Sequence, residues 1–126
     1  MKKIIHSENA PKAIGPYSQA VEINGMLFIS GQIPIDPTTG KMVDGGIKEQ
    51  TEQVLKNVGA ILKETGLTYS NVVKTTCFLS DMADFKDMNE VYAHYYIENS
   101  PARSTIAVKG LPLAALIEIE TIAIKA

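Results

Sequence analysis

The chain has 126 residues, of which 45% are hydrophobic and 21% charged, and its formal charge is −2 with an isoelectric point near 5.6. This length suits one domain, residues 1–126, with its own hydrophobic core. The composition is that of an ordinary globular protein, not of a disordered chain. The acidic balance argues against a dedicated nucleic-acid binder, which usually carries a basic stripe.

The sequence contains no recognisable targeting or membrane segment. Residues 1–8 turn polar after two isoleucines and cannot form the apolar core of a signal peptide. No apolar run approaches the roughly 18 residues that cross a bilayer. The single cysteine, Cys77, cannot form an intramolecular disulfide and favours a reducing compartment. We therefore expect a cytoplasmic protein without membrane partners.

The first third of the sequence predicts short strands between irregular loops. Residues 2–5 can form a strand, whereas two prolines and a glycine keep residues 9–17 irregular. Two apolar runs, 18–23 and 26–30, flank Asn24-Gly25. Both turn residues tolerate positive φ angles, so this pattern predicts a two-residue β-hairpin.

An amphipathic helix follows a loop at residues 31–41. Apolar residues recur at helical spacing from Ile47 to about Thr65, and charged residues fill the other side. Asp44 lies near the start, where a carboxylate interacts favourably with the helix dipole, and Gly66 is placed to end the helix.

The second half of the chain predicts one more helix among three strands. The β-branched run 72–79 is typical of a strand buried on at least one face. Asp81 or Asp84 can cap a second helix that extends to about Ile97. The last two strands are predicted at residues 102–108 and 116–124.

This order of elements predicts an α+β domain with about six strands in a mixed sheet. Two helices can cover only one face of such a sheet. The other face also carries aliphatic residues, which a lone two-layer domain would leave exposed to water. We therefore expect a homo-oligomer with functional sites near the subunit contacts.

Metal binding and nucleotide binding find no support in the motifs. His6 and His94 are far apart in the sequence and show no ligand-like spacing, so we expect no metal site. Cys77 lies in a predicted strand without a neighbouring base, which favours a buried structural thiol. The turn at residues 38–41 lacks the first glycine and the final hydroxyl residue of a phosphate-binding loop.

Arg103 and Glu118 stand out because they interrupt mostly aliphatic strands, where an unpaired charge is costly to bury. Arg103 and Thr105 share one face of their strand, since side chains alternate. If the two last strands pair, a cation, a hydroxyl and a carboxylate converge on one site. Residue chemistry alone equally allows a structural ion pair for Arg103 and a half-exposed strand around Glu118.

Several blocks occur in order and at suitable spacing: residues 10–11, 14–20, 30–34, 101–104 and 117–120. Together they resemble the RidA/YjgF family, the reactive intermediate (imine) deaminases, over nearly the whole chain. The resemblance implies a chorismate-mutase-like fold and a homotrimer, formed through the uncovered sheet face, with three clefts between subunits. It also implies cofactor-independent hydrolysis of 2-imino acids, such as 2-iminobutanoate and 2-iminopropanoate, and of their enamine tautomers to 2-oxo acids and ammonia.

The resemblance also implies roles for individual residues. Arg103 matches the family's carboxylate-binding arginine, and Glu118 matches the glutamate near the attacking water. Many members have cysteine two residues after the arginine; this chain has Thr105, whose hydroxyl can still orient a water in catalysis. The residues expected to line the cleft are Tyr17, Ser30 and Gly31.

Two other functions stay open at this stage. A non-catalytic sensor or carrier of small 2-oxo acids would use the same Arg103 contact. A ribonuclease or translation inhibitor, an activity also ascribed to some relatives, fits less well because the chain is acidic and lacks a histidine-containing acid/base pair.

Overall fold

The computed structural model describes residues 1–126 as a six-stranded mixed sheet with two α-helices packed on one face. The sheet order is β1-β2-β3-β8-β6-β7, and only the β6/β7 pair is parallel. The predicted α+β class and strand number are confirmed. The elements are β1 (Lys3–Ile5), β2 (Ala20–Ile23), β3 (Met26–Gln32), β4 (Ile35–Asp36), β5 (Lys41–Met42), α1 (Ile47–Glu64), β6 (Val72–Leu79), α2 (Phe85–Tyr95), β7 (Ala102–Ala107) and β8 (Ile117–Ile124).

The predicted hairpin joins β2 and β3. Asn24 and Gly25 have φ angles of 51° and 76°, and Ile23 pairs with Met26 across the turn. The predicted loop at residues 31–41 differs from the structure, because β3 continues to Gln32 and a small β4/β5 hairpin occupies much of the rest.

Helix α1 is amphipathic as predicted and supplies much of the core. Its apolar stripe packs against the sheet and is almost completely buried, through Val54, Leu55, Val58, Ile61 and Leu62. The carboxylate that accepts a hydrogen bond at its start is that of Glu49, 2.8 Å from the Gly46 nitrogen. Gly66, with φ 77°, ends the helix.

Helix α2 is shorter than predicted. The Asp81 carboxylate accepts a bond from the Ala83 nitrogen and starts a 3₁₀ turn, Met82–Asp84, which leads into the helix. The helix ends at Tyr95, two residues before the predicted end at about Ile97. At Tyr96 the backbone leaves helical geometry, and its ring is buried in the core, whereas Ile97 is exposed.

The sheet face opposite the helices is uncovered in the single chain. It presents Phe28, Ile106 and Ile124, each 39–46% exposed, together with half-buried Phe78 and Ile122. The expectation of one covered and one uncovered face is therefore confirmed. Neither α1 nor α2 has the length and hydropathy needed to cross a membrane.

The buried amide of Gln19 anchors the irregular amino-terminal segment to the sheet. Its oxygen accepts a bond from the Ser7 nitrogen at 2.6 Å, and its nitrogen donates to the carbonyl oxygens of Ser7, Ala10 and Pro11. One side chain thus forms hydrogen bonds with several backbone groups that have no partner in the sheet. These contacts fix the loop that leads to Tyr17.

We predict that Gln19→Met lowers the free energy of unfolding by about 2–3 kcal/mol, because it leaves a buried N–H and buried carbonyls without partners at similar side-chain volume. The measurement is urea denaturation at one fixed subunit concentration. Lys56→Met, which changes an exposed side chain on α1, is the control and should cost less than about 1 kcal/mol. Equal losses in both variants would contradict the anchoring role.

Candidate active site

A β-bulge shapes the groove that contains Glu118. Pairing between β3 and β8 is regular as far as Ile29 opposite Thr121 and resumes at Gln32 opposite Ile119. Ser30-Gly31 therefore lies opposite a single residue of β8. A bulge of this kind bends the strand and redirects side chains, and bulges are frequent beside active sites.

The bulge brings Gly31 against the carboxylate of Glu118. A Cβ atom at position 31 would overlap Oε2 of Glu118, so only glycine permits this approach. Burial raises the pKa of Glu118, and the negative charge of Glu120 raises it further. Glu118 is thus a more basic carboxylate than an exposed glutamate, and it remains partly accessible to solvent.

Ser30 and Tyr17 complete the wall around this carboxylate. The Ser30 hydroxyl donates to the carbonyl oxygen of Ser18 at 2.6 Å, which ties the bulge to the loop carrying Tyr17. The Tyr17 ring is 54% exposed. The groove has a volume of about 570 Å³ and is lined by Ile14, Tyr17, Ser30, Gly31, Ile33, Pro112, Glu118 and Glu120. Four of the predicted site residues, Tyr17, Ser30, Gly31 and Glu118, therefore lie together.

Arg103 lies elsewhere, against helix α2. Its Nη1 donates to Oδ1 of Asn89 at 2.8 Å. Its Cζ lies 4.8 Å from the centre of the Tyr92 ring and 5.5 Å from that of Phe85. A second cavity, of about 460 Å³, opens beside it and is lined by Asn89, Tyr92, Ala93, Tyr96, Ser100, Pro101 and Arg103.

The last two strands do not pair, so the condition for convergence within one chain is not met. Strand β6 lies between β7 and β8, so Arg103 and Glu118 are on strands that never touch. Arg103 is in register with buried Thr75, on the helix side of the sheet. Glu118 alternates with the buried residues Ile117 and Ile119 and faces the other side. The cation and the carboxylate therefore do not converge within one chain.

Thr105 is on the same side of the sheet as Arg103, opposite Cys77 in the register. Its hydroxyl oxygen is buried and makes no hydrogen bond to oxygen or nitrogen. Burial raises the pKa of the neighbouring Cys77 thiol to about 11, which suits the predicted structural role of this cysteine and not that of a nucleophile. No three His, Cys, Asp or Glu side chains are grouped as metal ligands.

Sequence reasoning missed the residues that surround Arg103. It did not single out Phe85, Asn89 or Tyr92 as site residues. These three residues are spaced i, i+4 and i+7, which puts them on one face of α2. The spacing alone predicts a buried stripe; only the packing of β7 against α2 shows that the stripe faces a cation.

Comparison with known proteins places this geometry in a family. The model of the family described as Endoribonuclease L-PSP matches residues 7–125. A RutC family protein of Pyrococcus horikoshii is 57% identical over 125 residues, covering 99% of both chains. The human 2-iminobutanoate/2-iminopropanoate deaminase is 48% identical over 125 residues, covering 99% of this chain and 91% of its own.

A solved structure agrees with these relatives. Crystalline Escherichia coli TdcF with bound serine is 40% identical, superimposes with a TM-score of 0.94, and is matched over 98% of this chain and 99% of its own. Sequence and fold thus agree over almost the whole length of the domain. The chain belongs to the RidA/YjgF family.

Proposed function

We propose that the protein is a cofactor-independent deaminase that hydrolyses small 2-imino acids and their enamine tautomers, such as 2-iminobutanoate and 2-iminopropanoate, to 2-oxo acids and ammonia. The observation that carries this proposal is the half-buried Glu118 carboxylate, whose raised pKa and open groove suit a base that acts on water. The human relative, named for this activity, supports it. So does the serine bound to TdcF, a small amino acid with the same carboxylate.

The substrate carboxylate requires a cation that the groove itself lacks. None of the eight residues that line it is basic. The chain's single arginine is two strands away from β8, a lateral distance of about 10 Å, and on the opposite face of the sheet. In a 2-imino acid the carboxylate carbon is only about 1.5 Å from the imine carbon. One substrate cannot span both sites of the same chain.

We infer that each active site is completed by Arg103 of a neighbouring subunit. The uncovered apolar sheet face provides the surface through which subunits can associate. A closed ring of three subunits, the homotrimer that the family resemblance implies, makes three equivalent clefts, each with Glu118 from one chain and Arg103 from the next.

The chemistry of these groups gives a balanced reaction. Arg103 binds the substrate carboxylate through parallel charge-assisted hydrogen bonds. Glu118 removes a proton from a water molecule while the water oxygen bonds to the carbon of the protonated imine. This step forms a carbinolamine. The carboxyl group returns the proton to the amine nitrogen, and the C–N bond then breaks. The departing ammonia takes up the hydroxyl proton, which leaves the 2-oxo acid and ammonium.

The remaining predicted residues have supporting positions. Ser30, Gly31 and Tyr17 form the wall that holds the substrate and the water beside Glu118. Thr105 is proposed to contribute on the Arg103 side of the cleft. Its buried hydroxyl gives this role less structural support than the others have.

We predict that both charged residues are needed for imine hydrolysis. Glu118→Gln should lower kcat about 10²- to 10⁴-fold, because the base is lost at constant shape. Arg103→Ala should lower kcat/KM roughly 10- to 100-fold, mainly through KM, since a charge-assisted bond contributes about 1.5–3 kcal/mol. The imine is generated in situ by an amino-acid oxidase, and 2-oxo acid formation is measured.

The matched controls are Glu98→Gln and Lys109→Ala, which change exposed residues outside the groove. Both should retain wild-type rates. Full activity in Arg103→Ala would remove the carboxylate contact from the mechanism.

Tight binding of 2-oxobutyrate by a wild type that does not hydrolyse imines would favour the sensor function, and cleavage of RNA by every preparation would favour the nuclease.

Mixing two inactive variants tests the shared site. Arg103→Ala and Glu118→Gln subunits, unfolded together and refolded at equal concentration, should form some clefts with both wild-type groups. In a trimer with random assembly about a quarter of the clefts qualify, so about a quarter of the wild-type rate should return. Each variant refolded alone is the control. If the mixture stays as inactive as its parents, both groups belong to one chain's site.

The pH dependence reports the environment of Glu118. The carboxylate must be ionised to act as a base, so kcat should fall as the pH drops through its raised pKa. Glu120→Gln removes a neighbouring negative charge and lowers that pKa, so the acid limb of the profile should move to lower pH. Glu98→Gln should leave the limb in place. An unmoved limb in Glu120→Gln, or one at higher pH, would contradict the assignment.

A further inference from the structure

We propose that Tyr92, held in place by Thr75, is a positioning residue that orients the guanidinium of Arg103 toward the substrate carboxylate. The inference rests on the proposed function of Arg103 as the carboxylate contact. It adds a residue that touches neither the substrate nor the water.

A closed arrangement of three residues carries the proposal. The Tyr92 hydroxyl and the Thr75 hydroxyl oxygen are 2.7 Å apart, and both side chains are buried. Thr75 lies directly opposite Arg103 in the parallel β6/β7 register. Neighbouring positions on β6 and β7 thus carry Thr75, whose hydroxyl contacts that of Tyr92, and Arg103, whose Cζ lies 4.8 Å from the centre of the Tyr92 ring.

The contacts of Arg103 leave most of its hydrogen-bond donors unused. Asn89 accepts one N–H from Nη1, whereas Tyr92 and Phe85 interact with the guanidinium through their ring faces. A guanidinium has five N–H donors, so four remain for a ligand. Two parallel hydrogen bonds to a carboxylate require one orientation of the guanidinium plane. A ring that fixes this plane before the substrate arrives therefore favours binding.

The competing explanation is that Tyr92 only packs the core. That role predicts a loss of stability in Tyr92 variants without any specific effect on Arg103. Tyr95 provides a matched comparison on the same helix. Its hydroxyl donates to the carboxylate of Glu52, and the guanidinium of Arg103 lies over the rings of Phe85 and Tyr92 but not over that of Tyr95.

Arg103 is the only arginine in the chain, so its side-chain NMR signals need no assignment. In ¹⁵N-labelled wild type we expect distinct guanidinium signals that reflect slow rotation about the Cζ–N bonds. Tyr92→Leu should average these signals and weaken 2-oxobutyrate binding, measured by calorimetry, about 3- to 30-fold, the range of a partly desolvated cation–π contact. The KM for the imine should rise by a similar factor while kcat changes less.

Milder variants guard against misfolding. Tyr92→Phe and Thr75→Val both remove the bond between the hydroxyls but keep the ring, and should give the same changes at smaller size. Tyr95→Leu should lower the melting temperature yet leave the arginine signals and the binding unchanged. Unaltered signals and binding in folded Tyr92→Leu, or equal effects of Tyr95→Leu, would overturn the proposal.

The same data separate this inference from the function on which it rests. A wild type that neither hydrolyses imines nor binds 2-oxobutyrate would overturn the proposed function. The NMR signals of Arg103 would then still decide whether Tyr92 fixes the guanidinium. Normal hydrolysis together with a guanidinium that rotates freely in the wild type would overturn only the positioning role.

Discussion

The position of strand β6 between β7 and β8 governs what one subunit can do. It places the only guanidinium and the half-buried Glu118 carboxylate on separate strands and on opposite faces of the sheet. Neither group can satisfy the other within the chain, so each stays available for a ligand. The same sheet has an uncovered apolar face, and association through that face would connect assembly with completion of the proposed site.

The electrostatics of the groove lead to the same requirement. Glu118 and Glu120 give it two carboxylates, and no basic residue lines it. An anionic substrate would be repelled from such a surface, whereas a cation from a second subunit would balance it. The negative charge of Glu120 has a second effect, because it raises the pKa of Glu118. The bulge at Ser30-Gly31 makes this possible, since a side chain at Gly31 would displace the carboxylate.

Local sequence patterns predicted most of the elements but not their arrangement. The Asn24-Gly25 turn and the periodicity of α1 are properties of neighbouring residues, and both were predicted correctly. Strand order depends on contacts between distant segments. The crossover from β6 through α2 places β7 parallel to β6, which separates β7 from β8, a separation that the sequence pattern left undecided. Asn89 was missed because an amide on a helix gives no periodic signal.

The surroundings of Arg103 show how the cation proposed to bind the substrate carboxylate is held without a charged partner. No carboxylate of the same chain pairs with it; the chain's ion pairs join His6 to Glu8, Lys48 to Glu90 and Lys125 to Glu22. Its contacts are instead a neutral amide and two aromatic faces, which orient the guanidinium without cancelling its charge. A carboxylate partner would have to be displaced by every substrate. Because β7 is an edge strand, the oriented cation also stands where another subunit can approach it.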